Sequence, residues 1–258
     1  TIKDKINALT PPWILEPYLA LKRRIKRSQY NHVKVIQESP LNNIYHCCPQ
    51  KTGSQWIKSI LSDVIFYQYT GLKPISYWDY LNINDIDYER IEKDDFPVKF
   101  PDKTLVTPLY VDYQTYLRIP KSDKYRSFFI IRDPRDLVVS QYFSKLYSHK
   151  RSKEIDEIRK KLKSLSLNEG LKVIIYELQR NGYWDRIRSW GDASEENMKV
   201  VKFEELTNDE QSYKAFKSLF EFLEINLPES KLRELLSKYS FQNLNEGRSK
   251  GEENKISH

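Results

Sequence analysis

The stretch Asn42-Asn43-Ile44-Tyr45-His46-Cys47-Cys48, then Pro49-Gln50-Lys51-Thr52-Gly53, then Ser54-Gln55-Trp56-Ile57-Lys58-Ser59-Ile60-Leu61, decides the fold. Its first part is a short apolar run closed by proline, which reads as a buried strand. Past the turn at Pro49 to Gly53, the residues Ile57, Ile60, Leu61, Val64 and Ile65 recur at the spacing of one helix face. The unit is strand, loop, amphipathic helix, and Gly71 closes the helix. A second such unit lies downstream. Phe128 to Ile131 is continuously apolar, as in a parallel strand covered on both faces, and it runs into Arg132-Asp133-Pro134-Arg135-Asp136 and a helical pattern. Thr104 to Tyr110 and Met198 to Phe203 read as further strands. Leu171 to Trp190 and Tyr213 to Leu244 read as helices, the latter broken at Pro228. Strands alternating with helices predict an α/β protein with a central parallel sheet flanked by helices and a P-loop-like strand-loop-helix at its first junction.

Composition agrees with a folded enzyme-sized unit. The chain has 258 residues, 39% hydrophobic and 13% aromatic, with 18 Tyr and only 7 Gly, which excludes collagen-like, low-complexity and disordered classes. No internal repeat or flexible linker interrupts it, so a single domain over 1–258 is expected, with 1–41 as a helical N-terminal extension. That extension carries the run Lys22-Arg23-Arg24-Ile25-Lys26-Arg27, which reads as a solvated helix face or as a contact to an anionic surface. An acidic, Tyr-rich stretch spans Tyr77 to Asp95. No apolar run approaches the roughly 20 residues needed to span a bilayer, so no membrane span is expected in this chain. The net charge of +7 suits an anionic ligand but is modest for a nucleic-acid binder, and no nucleic-acid partner is expected. The only cysteines, Cys47 and Cys48, are adjacent, and the four histidines lack paired spacing. No zinc set is predicted, and a reducing, cytoplasmic setting follows.

The chemistry is expected at the two strand-helix junctions. In open α/β sheets ligands bind at the carboxyl ends of strands, where a helix N-terminus presents unpaired N–H groups to an anion. The first loop offers Lys51, Thr52, Gly53 and Ser54; the glycine lets backbone approach a phosphate closely. It is not a Walker A loop, because Gln50 and Tyr45 stand where glycines are required, so a nucleotide triphosphatase or kinase is disfavoured. The second junction offers Arg132 and, on the second turn of its helix, Ser140, a fork and a hydroxyl that could clamp one phosphate. The same residues also read as an Asp133–Arg135–Asp136 surface network capping a helix.

Lys51-Thr52-Gly53-Ser54-Gln55-Trp56 resembles the 5′-phosphosulfate loop, Lys-Ser-Gly-Thr-Thr-Trp, of sulfotransferases that use 3′-phosphoadenosine 5′-phosphosulfate (PAPS). Arg132 to Ser140 is similar to their 3′-phosphate motif, at close to the family's separation. Weaker echoes follow in family order at Gly182 to Trp190, Val201 to Leu206, Phe222-Leu223 with Leu227-Pro228, and Ser240-Phe241, so the resemblance covers residue 42 to the end. It implies that 42–258 is a catalytic core that moves a sulfuryl group from PAPS, leaving the bisphosphate PAP, to a hydroxyl or amine of a small-molecule, sugar or lipid acceptor. Lys51 would stabilise the departing charge. Thr52, Gly53, Ser54 and Gln55 would hold the 5′-phosphate, Arg132 and Ser140 the 3′-phosphate, and Trp56 and Phe203 would lie beside adenine. No metal is implied. Three departures stand out. Gln50 separates Pro49 from Lys51 and Gln55 replaces a hydroxyl; Lys103-Thr104 is not followed by the family's histidine; and the closing Arg-Lys-Gly-x-x-Gly loop has no counterpart around Asn245 to Arg248. Asp112, just past the middle strand, is the first candidate for the general base, ahead of Asp79 and His149; His46 reads as a packed histidine. The alternative is a protein of this type that binds nucleotide and has lost transfer.

Overall fold

The computed structural model describes residues 28–76, 79–80, 96, 98–149 and 152–240. The basic run at Lys22 to Arg27, most of the Tyr77 to Asp95 stretch and the segment from Phe241 onward lie outside the described residues. The described strands are β1 (Asn43–Cys47), β2 (Lys73–Ile75), β3 (Thr104–Leu109), β4 (Tyr125–Ile131) and β5 (Met198–Lys202). They form a five-stranded parallel sheet in the order β2-β3-β1-β4-β5. The helices are α1 (Ser54–Leu61), α2 (Val64–Gln68), α3 (Tyr113–Arg118), α4 (Pro134–Phe143), α5 (Lys153–Lys163), α6 (Leu167–Arg180), α7 (Tyr183–Arg188), α8 (Phe203–Thr207), α9 (Ser212–Phe222) and α10 (Glu229–Lys238).

Alternation along the strands builds two cores. Side chains in a strand point to opposite faces in turn. Ile44 therefore joins Leu105, Phe128, Ile130 and Val201 under α1, α9 and α10. Tyr45 and Cys47 join Val106, Leu109 and Phe129 on the other face, with Tyr113 and Tyr116 of α3 and with Trp190. All of β1 and β3 is buried, which is why neither shows a polar alternation. Trp190 stacks on Phe129 at 4.4 Å and donates its Nε1–H to the Val111 carbonyl at 3.1 Å, so its one polar group is satisfied inside. Full burial of such a ring contributes on the order of 2–3 kcal/mol.

Two helices are shorter than their periodicity predicts. The pattern from Ile57 to Ile65 suggests one helix, but the chain breaks at Ser62-Asp63: the Asp63 carboxylate accepts from the Ile65 N–H at 2.8 Å and starts α2 afresh. Lys238 Nζ and the Tyr239 hydroxyl also donate to this carboxylate, at 2.7 and 2.9 Å. Likewise Gly182, at φ 65°, ends the run expected from Leu171 to Trp190 and opens α7. Pro228 separates α9 from α10 as expected.

The chain divides into two compact units. Among the described residues, one unit comprises those between 34 and 137 and those between 178 and 240, and it holds the five described strands. The other, again among the described residues, comprises 28–33, 138–149 and 152–177. Within this second unit, α4 runs into a π-turn over Ser144–Ser148, where the His149 N–H reaches the Ser144 carbonyl at 2.6 Å. Lys145 pairs with Glu177, and Arg159 Nε donates to the Lys145 carbonyl at 2.9 Å, tying α5 and α6 to that turn. Gly170 is required here: a Cβ would stand 2.5 Å from the Tyr142 ring.

Candidate functional site

The loop after β1 is shaped by two residues in the left-handed region, Lys51 at φ 70° and Gly53 at φ 69°. The Thr52 hydroxyl is wholly buried and donates to the Pro49 carbonyl at 2.8 Å, so it braces the loop from within; what Thr52 can offer an anion is its backbone N–H. Gly53 precedes α1 and has no side chain to cap it, which leaves the first-turn N–H groups of Ser54, Gln55 and Trp56 without a side-chain cap. An uncapped N-terminus at a strand end carries partial positive charge toward whatever lies over it.

The adjacent strand end supplies Arg132. Its Nη1 donates to the Lys51 carbonyl at 2.8 Å, so the two junctions singled out by the sequence touch directly. The guanidinium lies over the Phe203 ring at 4.5 Å, and its Nε is buried without a partner among the described residues. Asp136 stands 3.9 Å away, at the edge of ion-pair reach. Phe203 follows β5, itself paired to β4, so it arrives beside Gly53: a Cβ there would lie 2.6 Å from Phe203 Cε2. Trp56 meets the same ring edge-on at 6.4 Å and donates Nε1–H to the Tyr239 carbonyl at 2.7 Å. Lys51, Gly53, Trp56, Arg132 and Phe203 are thus one cluster built from three strand ends. Burial, with the Arg132 charge adding to it, lowers the Lys51 pKa.

The Asp133–Arg135 network exists as well. Asp133 accepts from the Arg135 N–H at 2.8 Å and from its guanidinium at 2.6 Å, which holds its carboxyl down at about 2. It coexists with the Arg132 contacts because the two neighbouring side chains serve different partners. Ser140 lies on α4, in the unit that does not hold the sheet.

Of the candidate bases, Asp112 caps α3, accepting from the Thr115 N–H at 2.6 Å through one carboxylate oxygen. Asp79 accepts from the Ser76 N–H and hydroxyl, at 2.9 and 2.8 Å. His149 ends the π-turn, in the other unit. His46 is fully buried, stacks on Phe128 at 4.9 Å and lies 2.8 Å from the Thr107 hydroxyl; burial pushes it down to about 3, so it is a neutral packed histidine, as expected.

Sequence reasoning missed two tyrosines at this loop. The Tyr110 hydroxyl lies 2.7 Å from Ser54 Oγ and accepts from Gln55 Nε2 at 3.3 Å; the Tyr183 hydroxyl donates to the Gln50 carbonyl at 2.5 Å. Tyr110 sits one residue past β3, the strand beside β1, and that position was the available signal. Among the described residues no group of three His, Cys, Asp or Glu side chains is placed to hold a metal ion, and no helix is long and apolar enough to cross a membrane.

A parallel α/β sheet whose central strands end in a left-handed, uncapped loop and an arginine is suited to holding an anion at those strand ends. The chain belongs to the sulfotransferase family: the model of the sulfotransferase domain matches residues 43–257. A search of curated proteins gave no match. Among solved structures, the mouse sulfotransferase SULT7A1 complexed with PAP shares the fold, with a TM-score of 0.54 at 16% identity over 86% of this chain and 72% of that one. A retinol dehydratase, solved with androsterone and inactive cofactor PAP, aligns with a TM-score of 0.46 at 15% identity over 90% of this chain and 71% of that one.

Proposed function

We propose that this sulfotransferase takes its sulfuryl group from PAPS and passes it to a hydroxyl or amine of a small-molecule, sugar or lipid acceptor, releasing PAP. The observation that carries this reading is the hydrogen bond from Arg132 to the Lys51 carbonyl, which brings the two anion motifs of the sequence together at neighbouring strand ends. The residues fit such a donor. Gly53 holds the left-handed turn and lets the Phe203 ring pack against the loop, the first turn of α1 lacks a side-chain cap, and Arg132 keeps a buried Nε–H unspent. When bound, the donor supplies an activated sulfuryl group on a 5′-phosphate.

The chain's own groups divide the remaining work. The Lys51 ammonium faces charge that grows on the leaving oxygen, and its partial desolvation makes that attraction stronger than in water. Backbone N–H groups of Thr52, Gly53, Ser54 and Gln55 hold the 5′-phosphate; Arg132 holds the 3′-phosphate; Trp56 and Phe203 flank the base. Asp112 receives the acceptor's proton through the carboxylate oxygen that its cap does not use. Residues 42–258 act as one catalytic domain in this reading, supported by a family match that spans both compact units. A cytoplasmic site of action is supported by two free, buried thiols, Cys47 and Cys48.

Adenosine 3′,5′-bisphosphate is expected to bind and raise the melting temperature. Arg132→Ala should weaken that binding by roughly 2–3 kcal/mol, the scale of a lost charge-assisted contact, measured by calorimetry. Unchanged affinity in that variant removes Arg132 from the site.

A further inference from the structure

We infer that Tyr110 is a member of the anion loop and donates a hydrogen bond to the 5′-phosphate end of the nucleotide. This deepens the nucleotide reading above and rests on it. Leu109, the last residue of β3, is in register with Cys47 at the end of β1, and the Cys48 N–H donates to the Leu109 carbonyl at 3.1 Å. The next residue, Tyr110, is therefore delivered to the mouth of the loop, although 55 residues separate it from Gln55.

A phenol has one proton and two lone pairs. One lone pair of Tyr110 takes the Gln55 amide hydrogen at 3.3 Å. Tyr110 and Ser54 share a single bond of 2.7 Å, which consumes one of their two hydroxyl protons. The other proton is left over from the pair. Ser54 is buried at 6% exposure while Tyr110 is half-buried, so the outward proton belongs to Tyr110 and Ser54 donates inward to it. Burial, aided by the neighbouring Cys48, raises the phenol's pKa, so Tyr110 keeps its proton at neutral pH and works as a donor rather than a base. Gln55, standing where a second hydroxyl would be expected, acts through Tyr110 as a positioning residue.

Calorimetry with two probes tests this without any acceptor: adenosine 3′,5′-bisphosphate and adenosine 3′-monophosphate, which lacks the 5′ group. Tyr110→Phe should lose about tenfold to a hundredfold in affinity for the bisphosphate and stay within about twofold for the monophosphate. Gln55→Leu, on an exposed side chain, should show a smaller loss for the bisphosphate alone. Ser54→Ala separates donation from propping: Tyr110→Phe must cost more than Ser54→Ala. Equal losses, with none added in the double variant, would make Tyr110 a mere prop and overturn the proposal. So would unchanged bisphosphate affinity in Tyr110→Phe, or equal losses for both probes in either variant. Wild-type protein that binds neither probe overturns the nucleotide reading itself; wild type that binds while Tyr110→Phe matches it overturns only the role of Tyr110.

Discussion

Gly53→Ala puts the loop geometry to a quantitative test. The backbone there sits at φ 69°, where an L-residue costs about 1–2 kcal/mol, and the new methyl would arrive 2.6 Å from Phe203 Cε2. Contact that short forces the ring aside. Overpacking of this kind costs about 1–3 kcal/mol, which brings the total to about 2–5 kcal/mol. For a chain of this length each kcal/mol moves the melting point by about 2–4 °C, so a drop of about 4–20 °C is expected in a scanning fluorimetry trace. Most of the rise given by saturating adenosine 3′,5′-bisphosphate should vanish as well, because the displaced ring also lies under Arg132. Phe203→Leu shortens the obstructing side chain and should relieve the contact term but not the backbone term, giving a coupling of about 1–3 kcal/mol in a double-mutant cycle. A Gly53→Ala protein melting within a degree of wild type would refute the reasoning. A zero coupling would refute the part assigned to Phe203.

Lys51→Ala should lower turnover on the order of a hundredfold or more while product-bisphosphate affinity falls much less, since in the proposed mechanism the ammonium acts on charge that appears only in the transition state; equal losses in both would assign Lys51 to uniform binding. Asp112→Asn should fold normally, because asparagine caps a helix as well as aspartate, yet turnover should fall by roughly 10²–10⁴ with loss of the acidic limb of the pH–rate profile. Near-normal turnover would pass the role to Asp79 or His149.

The sheet was legible because its strands are short apolar runs between turn residues: Ile44 to Cys48 and Phe128 to Ile131 needed no tertiary information. The helix breaks were less so. Asp63 falls on the polar side of a helical pattern, and nothing in the local sequence shows that Lys238 and Tyr239 will meet its carboxylate and favour a fresh start. At the site, Lys51, Gly53 and Arg132 were readable from residue type at a junction. The inward turn of the Thr52 hydroxyl was not, since a threonine in such a loop offers both a ligand contact and a brace, and only packing chooses. Tyr110 and Tyr183 were hidden for a related reason: their hydroxyls serve the loop from elsewhere in the chain, Tyr110 from the end of β3 and Tyr183 from the start of α7, and such tertiary contacts leave no mark at short range.

Three strand ends meet at Gly53, and they enter the chain far apart: β1 brings the loop, β4 brings Arg132, and β5 brings Phe203. The cluster around the loop is therefore not a portable peptide but a property of the finished sheet. A folding intermediate that has paired β1 with β3, yet still lacks the β4–β5 edge, would contain every residue of the Lys-Thr-Gly-Ser loop and have no arginine behind it and no ring beside it. On the proposed reading, nucleotide protection would act as a completion signal: the ligand would reward only a sheet whose β4–β5 edge is in place, and damage along β5 would be felt as lost affinity at the centre.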